Sequence, residues 1–256
     1  MNHQTRTQNQ NPVEVFNKDG GSPIVLVCEH ASARFPDAFG KLGLAGEALQ
    51  SHVAWDPGAL GLAQHLSSSL DAVLVASCVS RLVYDCNRPP EAPDAMPARS
   101  ETVDVPGNVD LSDADKSARV AEVYEPFRAT IARTLGARRQ PILVTVHSFT
   151  PVFHGEVRDV EIGILHDEDA RLADAILTAV GDDMLYLVER NAPYGPEHGV
   201  THTLKEHALP GGFLNVMIEV RNDLIPDDGA QAVMADVLAG WLREAIADLE
   251  ADAWKV

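Results

Sequence analysis

Short apolar runs that alternate with helical patterns constrain the fold of this chain most. Runs rich in β-branched residues predict strands at residues 23–30, 72–77, 81–87, 141–149, 160–166, 184–190 and 214–221. Helical periodicity predicts helices over residues 57–70, 111–137, 168–180 and 228–252. Apolar strands separated by helices are typical of a mostly parallel sheet that is covered on both faces. We therefore expect a three-layer αβα fold of the α/β class.

Length and composition favour one domain. The chain has 256 residues and is 45% hydrophobic, which suits a single α/β domain over residues 13–256. Residues 1–12 are polar, predict a disordered tail, and lack the apolar segment of a signal peptide. Three cysteines, an odd number, lie in or beside apolar runs. They read as reduced thiols, so we expect a cytoplasmic protein.

The charge balance excludes several kinds of partner. The chain has 38 acidic residues against 20 lysines and arginines, and its net charge is -18. Such a charge repels nucleic-acid backbones and anionic membrane surfaces, so we expect neither as a partner. An anionic small molecule needs a local basic pocket instead. A homo-oligomer is compatible with the sequence.

Polar side chains collect where the predicted strands end. Glu29-His30, Asp85-Cys86-Asn87-Arg88, His147-Ser148 and Glu219-Val220-Arg221 all follow or close apolar runs. In open α/β sheets the ligand crevice lies outside the carboxyl ends of the strands. These groups therefore predict a functional site along one edge of the sheet.

Two of these histidines suggest a metal centre. His30 and His147, together with Asp56, offer two imidazoles and one carboxylate, and a fourth position open to water makes such a set a catalytic zinc site. The alternative is a pair of hydrogen-bonded structural histidines with Asp56 as a helix N-cap. Because no compact metal motif is present, both readings stay open.

Other polar residues suggest catalysis and anion binding. Glu219 closes an apolar strand and is a candidate general base, unless it forms a salt bridge with Arg221. Arg81, Asn87 and Arg88 favour an anion pocket, because guanidinium groups bind carboxylates in a bidentate manner. The alternative for these arginines is a set of surface ion pairs. Three further histidines, His198, His202 and His207, predict an ordinary loop that could cover the site, and Tyr194 could line the pocket.

The order of these motifs resembles the N-formylglutamate amidohydrolase family. The motifs run from residue 23 to about residue 224: His30-Ala31-Ser32, Asp56-Pro57-Gly58, Ser80-Arg81, Asp85 to Arg88, His147-Ser148 and Glu219-Val220-Arg221. That family is related to zinc carboxypeptidases and aspartoacylase-like enzymes, and the resemblance implies a phosphorylase/hydrolase-like αβα fold. It also implies a zinc-dependent amidohydrolase that cleaves the N-acyl amide of a small acidic amino acid such as N-formylglutamate.

The resemblance also assigns roles to residues. It implies zinc held by His30, Asp56 and His147, Glu219 as general base and acid, and Arg81 polarising the scissile carbonyl. It implies substrate binding by Asn87 and Arg88, to which we add Arg221 and Tyr194 as expected pocket residues. One departure leaves the acidic ligand open: carboxypeptidases use His-x-x-Glu, whereas position 33 is Ala, so Glu29 rivals Asp56.

Other functions remain open at this stage. The first is a carboxypeptidase-like or other zinc amidase acting on a short peptide or a cell-wall-type amide. The shape of loop 89–110 decides between this alternative and the small-molecule enzyme. The second is an anion-binding module without catalysis. A serine hydrolase is disfavoured because the G-x-S-x-G motif is missing.

Overall fold

The structure, a computed structural model, describes residues 11–181 and 185–253. The strands are β1 (Val13–Phe16), β2 (Ile24–Cys28), β3 (Val73–Ser77), β4 (Arg99–Ser100), β5 (Val103–Asp104), β6 (Ile142–Phe149), β7 (Val152–Phe153), β8 (Glu156–Val157), β9 (Ile162–Leu165), β10 (Val188–Arg190) and β11 (Asn215–Arg221). The α-helices are α1 (Ala59–Leu70), α2 (Asp113–Arg119), α3 (Glu125–Gly136), α4 (Arg171–Val180), α5 (His202–His207) and α6 (Asp228–Ala253).

The central sheet is mixed and mostly parallel. Seven strands follow the order β1-β3-β2-β6-β11-β9-β10. The pairs of β2 with β3, β2 with β6, β6 with β11, and β9 with β10 are parallel. The outer strand β1 and the β9–β11 pair are antiparallel. Two small hairpins, β4–β5 and β7–β8, lie outside this sheet.

Apolar side chains cover both faces of the sheet, as the uninterrupted apolar strands predict. On one face, α1, α4 and α6 bury residues such as Leu62, Ile176 and Leu238 against the strands. On the other face, α3 packs with Phe127 and Ile131 beside side chains from the loops. The predicted α/β class and its three layers are therefore confirmed.

One predicted strand does not form. Residues 81–87 fold into turns, although Leu82, Val83 and Tyr84 are fully buried. Their apolar side chains reach the core from a turn that Val83 N closes by donating to Ser80 O. A short apolar run does not distinguish a strand from a buried turn, which explains the error.

Other boundaries shift as well. The helix predicted to begin at Pro57 begins at Ala59, and its N-cap is Gly58 with φ 82°, not Asp56. A Cβ at Gly58 would lie 2.6 Å from Ile225 O, so the close turn requires glycine. The helix over 111–137 is interrupted by a π-helical turn, Val120–Tyr124. Strand β1 was not predicted.

Parts of the chain fall outside this description. The predicted tail, residues 1–12, lies outside the described residues except for Asn11 and Pro12, and Pro12 O accepts a hydrogen bond from Cys78 N. The strand predicted over 184–190 begins outside them and forms only at β10. No helix among residues 11–181 and 185–253 is long and apolar enough to cross a membrane.

Candidate active site

A cavity of about 460 Å³ opens beside the carboxyl ends of the parallel strands. His30 follows β2, His147 lies near the end of β6, and Glu219 is paired with His147 in the register of β11 and β6. All three line the cavity. The sheet therefore brings the polar residues of three strands to one place, where the sequence predicted them.

Loop 89–110 forms one wall of this cavity. Its residues Asp94, Pro97 and Glu101 line the space. The loop is anchored by buried Asn108, which donates to Leu82 O at 2.8 Å and Pro97 O at 2.9 Å. Buried Arg119 in turn donates to Asn108 Oδ1 at 2.6 Å. Because these hydrogen bonds are buried, the wall is a fixed part of the site.

His30, Asp56 and His147 form the centre of the site. Asp56 Oδ2 lies 3.2 Å from His30 Nδ1 and 2.9 Å from His147 Nδ1. All three side chains are buried, and their potential ligand atoms lie within 4.8 Å of one another. The main chain fixes Asp56 here, because Asp56 N donates to His30 O at 2.9 Å.

A second carboxylate lies behind each histidine. His30 Nε2 is 2.7 Å from Asp85 Oδ1, and His147 Nε2 is 3.0 Å from Glu29 Oε2. The second contact has an ion-pair distance but not the direction of a good hydrogen bond, since none of its atoms finds an aligned partner among the described residues. Glu29, the rival ligand, thus lies on the far side of His147 from Asp56.

These contacts create a need for positive charge. Each imidazole meets a carboxylate at both nitrogens, but a neutral imidazole carries only one N–H. The described site buries four carboxylates, of Glu29, Asp56, Asp85 and Glu219, against the guanidinium of Arg81 in contact with them and that of Arg88 further out. Although burial opposes it, Glu29 and Asp56 raise the pKa of His147 well above its ordinary value. Either two protons or a divalent cation can satisfy this arrangement.

The donor set fits a metal ion. Two imidazole nitrogens and one carboxylate oxygen are the ligands of catalytic zinc sites, with bonds of about 2 Å. Atoms that share one such ion therefore lie about 3–3.5 Å apart, which agrees with the separations around Asp56. A histidine whose other nitrogen faces a carboxylate is also the usual form of a metal-binding histidine. His30, Asp56 and His147 could hold a metal, as the sequence predicts.

Glu219 is a buried carboxylate beside this centre. Only 4% of the residue is exposed, and burial raises its pKa to about 7, although His147 opposes the shift. Among the described residues Oε2 has no hydrogen-bond partner and Glu219 forms no ion pair. A carboxyl group with a pKa near neutrality can both take up and release a proton at pH 7.

Arg81 reaches the same centre from the turn after β3. Its Nη2 donates to Asp85 Oδ2 at 2.7 Å and its Nη1 to Asp56 Oδ1 at 3.4 Å. About a third of its side chain, 31%, is exposed and faces the cavity. Arg81 therefore stands where it can contact a bound molecule.

Asn87 and Arg88 line the cavity next to Asp85. The Asn87 side chain donates to Val200 O and accepts from Thr203 N, so it mainly fixes the segment that leads into α5. Arg88 Nε lies 2.8 Å from Asp94 Oδ2, whereas its buried Nη1 has no partner among the described residues. The terminal NH₂ groups of Arg88 therefore remain free for an anion, whereas Asn87 mainly holds the neighbouring segment in place.

Tyr194 lines the cavity, as expected. It follows a cis Ala192-Pro193 peptide bond, and its ring packs edge-on against His198 with centroids 6.3 Å apart. Burial, and next the charge of Glu219, raise the pKa of the Tyr194 hydroxyl. Tyr194 therefore stays neutral and lies within the electrostatic reach of Glu219.

Arg221 does not line the cavity, which corrects the expectation from the Glu-x-Arg motif. Its side chain pairs with Glu161 at 3.4 Å and Asp223 at 2.8 Å. It does not pair with Glu219, so the predicted alternative of a Glu219–Arg221 salt bridge is also wrong. Since Arg221 is the last residue of β11, it lies beyond the cavity and meets the β8–β9 loop instead.

The three histidines of the 198–207 segment have different surroundings. His198 lines the cavity. His202 Nε2 lies 2.8 Å from the Tyr124 hydroxyl, and burial lowers the pKa of His207 to about 4. His202–His207 form the short helix α5 and not a simple loop. Only His198 is placed to meet a ligand.

Sequence reasoning missed the roles of two acidic residues and one serine. Asp85 was noted only within its motif, and Glu29 only as a rival ligand, yet both contact the histidines directly. Ser148 supports the centre, because its Oγ donates to Pro57 O at 2.7 Å and its N to Asp56 Oδ2 at 3.4 Å. The available signals were the positions of Glu29 next to His30 and of Ser148 next to His147 in the sequence; Asp85 had no such neighbour.

This site defines a class of protein. An α/β fold that carries two histidines and a carboxylate beside a second carboxylate able to transfer protons is equipped for the hydrolysis of a polar bond. The model of the N-formylglutamate amidohydrolase family matches residues 22–226. The chain belongs to the N-formylglutamate amidohydrolase family, and it is therefore an enzyme that hydrolyses an amide.

Two solved structures are similar. A crystal structure of a gene product from Agrobacterium tumefaciens is 52% identical, with a TM-score of 0.92, and the match covers 94% of this chain and 96% of that one. The N-formylglutamate amidohydrolase from Ralstonia eutropha has a TM-score of 0.65 at 18% identity, over 92% and 97% of the two chains. The second likeness supports the fold alone. No curated protein matches the chain.

Proposed function

We propose that the chain is a zinc-dependent amidohydrolase that removes the formyl group, or a similar acyl group, from a small acidic amino acid such as N-formylglutamate. The observation that carries this proposal is the buried group of His30, Asp56 and His147 next to Glu219, a carboxyl group with no ion-pair partner among the described residues. Membership of the family supports the choice of substrate.

The metal would be held by Nδ1 of both histidines and by Asp56. When bound, zinc supplies Lewis acidity, which acidifies water and polarises a carbonyl group. Asp85 would fix the orientation of the His30 imidazole by a hydrogen bond to its Nε2, and the charge of Glu29 beside Nε2 of His147 would favour a proton there, so that each Nδ1 presents its lone pair to the centre.

Glu219 and Arg81 would perform the steps around the scissile amide. Glu219 takes a proton from the attacking water, and the same carboxyl group then donates it to the leaving nitrogen, a transfer that its pKa of about 7 allows in both directions. Arg81 faces the cavity with its guanidinium already oriented by Asp56 and Asp85. It would stabilise the negative charge that develops on the carbonyl oxygen.

The shape of the cavity favours a compact substrate. Loop 89–110 is fixed by the buried contacts of Asn108 and Arg119, and it closes one side. A cavity of about 460 Å³ lies in the range of small-molecule sites, roughly 300–1,000 Å³. The fixed wall therefore argues against the alternative of a peptide or cell-wall amidase.

The free thiols of Cys28, Cys78 and Cys86 support a cytoplasmic location.

Formate release and zinc content, measured together, test the proposal. We expect about one zinc per chain in the wild type, from the one such donor set among the described residues. Glu219→Gln should keep its zinc and lose about 10²–10⁴-fold in kcat, because the amide cannot accept the proton. His147→Ala should lose zinc and activity together. Glu189→Gln, on the exposed part of β10, is the matched control and should behave as the wild type.

Two results would contradict this proposal. A folded, zinc-loaded Glu219→Gln enzyme with near-normal turnover would remove Glu219 from the chemistry. Equal zinc content in the wild type and His147→Ala would remove His147 from the metal centre. Melting temperatures measured on the same preparations separate either result from a loss of folding.

A further inference from the structure

The arginines that line the cavity are largely occupied by carboxylates of the protein. Arg81 pairs with Asp56 and Asp85, and Arg99 pairs with Asp104 at 3.0 Å. Arg88 pairs through Nε with Asp94, and its Nη1 and Nη2 groups have no hydrogen-bond partner among the described residues. A dicarboxylate substrate carries two negative groups, so the arginines of the lining leave one of them without a free guanidinium.

Arg158 is not itself one of the residues that line the cavity, but it packs directly behind aromatic rings of the lining and has no such partner among the described residues. Its guanidinium carbon lies 4.4 Å from the ring centroid of Phe153, 4.8 Å from that of Tyr194 and 5.6 Å from that of Phe149. All three rings belong to the lining of the cavity. Within the described part of the chain no carboxylate lies within 4 Å of Arg158, although the sequence has 38 acidic residues.

The aromatic rings orient the cation without neutralising it. A guanidinium over an aromatic face is held by the ring quadrupole, and its charge and N–H groups remain available for an anion. Among the described residues, Nη1 donates to Thr150 O in a long contact of 3.5 Å, and the side chain also lies within hydrogen-bonding reach of the Tyr194 hydroxyl. The Arg158 side chain is therefore held in position, while its guanidinium keeps N–H groups available for an anion.

The backbone of Arg158 is also fixed. Its N donates to Pro151 O at 2.8 Å across the β7–β8 hairpin. Its carbonyl accepts from Arg221 Nη1 at 3.1 Å. Arg221, which the sequence placed in the substrate pocket, thus holds the segment that presents Arg158. The arginine of the Glu-x-Arg motif would therefore affect the ligand only indirectly, by holding Arg158 in place.

We infer that Arg158 binds the side-chain carboxylate of the acidic substrate and thereby selects a dicarboxylic amino acid. This rests on the proposed function. Tyr194 links Arg158 to the cavity, since it belongs to the lining and its ring centroid lies 4.8 Å from the Arg158 guanidinium carbon. The α-carboxylate lies close to the scissile amide and falls to Arg88, which adjoins Asn87 and Asp85. The side-chain carboxylate extends further, past Tyr194, to Arg158.

A pair of substrates tests this assignment directly. N-formylglutamate and N-formylglutamine have the same size and differ only at the side-chain terminus, which is a carboxylate in the first and an uncharged amide in the second. For Arg158→Gln we expect kcat/KM to fall about 10- to 100-fold for the first, because a charge-assisted hydrogen bond is lost, and less than about 3-fold for the second. The kcat/KM of Arg158→Lys for N-formylglutamate should lie between those of the wild type and Arg158→Gln, since lysine keeps the positive charge but cannot bind a carboxylate in the bidentate manner of a guanidinium. Arg99→Gln removes a guanidinium of the cavity lining that is already paired. It should leave the ratio of kcat/KM between the two substrates unchanged.

Binding of glutarate separates this inference from the proposed function. Glutarate has two carboxylates and no amide, so its dissociation constant, measured by calorimetry, does not depend on catalysis. A weaker glutarate complex in Arg158→Gln, with no hydrolysis of either amide by the wild type, would support the subsite and refute the proposed activity. If Arg158→Gln folds, as judged by its melting temperature, and keeps the wild-type substrate ratio and glutarate affinity, the inference is overturned.

Discussion

Replacing Asp85 by asparagine tests whether the carboxylates behind the histidines prepare the metal centre. Asp85 accepts from Arg81 Nη2 and lies against His30 Nε2, each at 2.7 Å. Both neighbours are donors in the arrangement we propose. Asparagine has one acceptor oxygen and one NH₂ group, so it can satisfy only one of them and must turn a donor toward the other.

The expected loss follows from these two contacts. A charge-assisted hydrogen bond contributes about 1.5–3 kcal/mol. If the lost contact is that of His30, the imidazole is free to rotate or change tautomer, and metal affinity should fall about 10- to 100-fold. If the amide NH₂ instead faces Arg81, the metal affinity should change less. In that case kcat should fall, because the Arg81 guanidinium loses the contact that orients it.

A chelator competition measures the zinc dissociation constant of Asp85→Asn. The nitrogen chemical shifts of His30 report which nitrogen carries the proton. Asp94→Asn is the matched control, because Asp94 pairs with the neighbouring Arg88 and is 52% exposed. Since its carboxylate does not touch a histidine, its zinc affinity should equal that of the wild type. A folded Asp85→Asn protein with unchanged zinc affinity, unchanged His30 shifts and normal kcat would refute the reasoning.

Two further predictions concern substrate affinity and acid stability. Arg88→Ala should raise KM for an N-acyl dicarboxylic amino acid about 10-fold or more, because the free Nη1 donor is lost; an unchanged KM on every active substrate would show that Arg88 binds no carboxylate. Burial lowers the pKa of His207 to about 4 from 6.5. Between these two pH values His207 is protonated in the unfolded chain but not in the folded protein. His207 should therefore cost stability as the pH falls from about 6.5 to 4, by up to about 3 kcal/mol. Urea midpoints of His207→Gln should fall less than those of the wild type over this range, and parallel curves would contradict the assignment.

The centre of the site could be predicted because strand ends are readable in a sequence. Buried strands appear as apolar runs, and polar residues at their carboxyl ends must face a crevice. His30, His147 and Glu219 were found in this way. Asp56 was harder, since its place after Trp55 and before Pro57 equally suits a helix cap. The structure shows that Gly58 takes the cap, which leaves the Asp56 side chain for the histidines.

The outer parts of the site depend on loop geometry, which the sequence does not encode in a periodic pattern. Residues 81–87 look like a strand, and only the turn at Ser80 brings Asp85 back against His30. Arg158 lies in a polar stretch between two short strands, and nothing nearby in the sequence marks it as a ligand group. Its place against Tyr194 comes from a segment 36 residues away in sequence (194 minus 158).

The Glu-x-Arg motif shows how one strand can serve two parts of the same reaction. Glu219 and Arg221 are two residues apart on β11, so alternation predicts that both face the same side. They nevertheless meet different neighbours, because Glu219 is paired with His147 whereas Arg221 is paired with Phe149, the last residue of β6. The guanidinium of Arg221 donates to the backbone carbonyls of Arg158 and Asp159 instead of entering the cavity. The strand thereby couples the position of the carboxylate proposed to transfer protons to that of the guanidinium proposed to select the substrate.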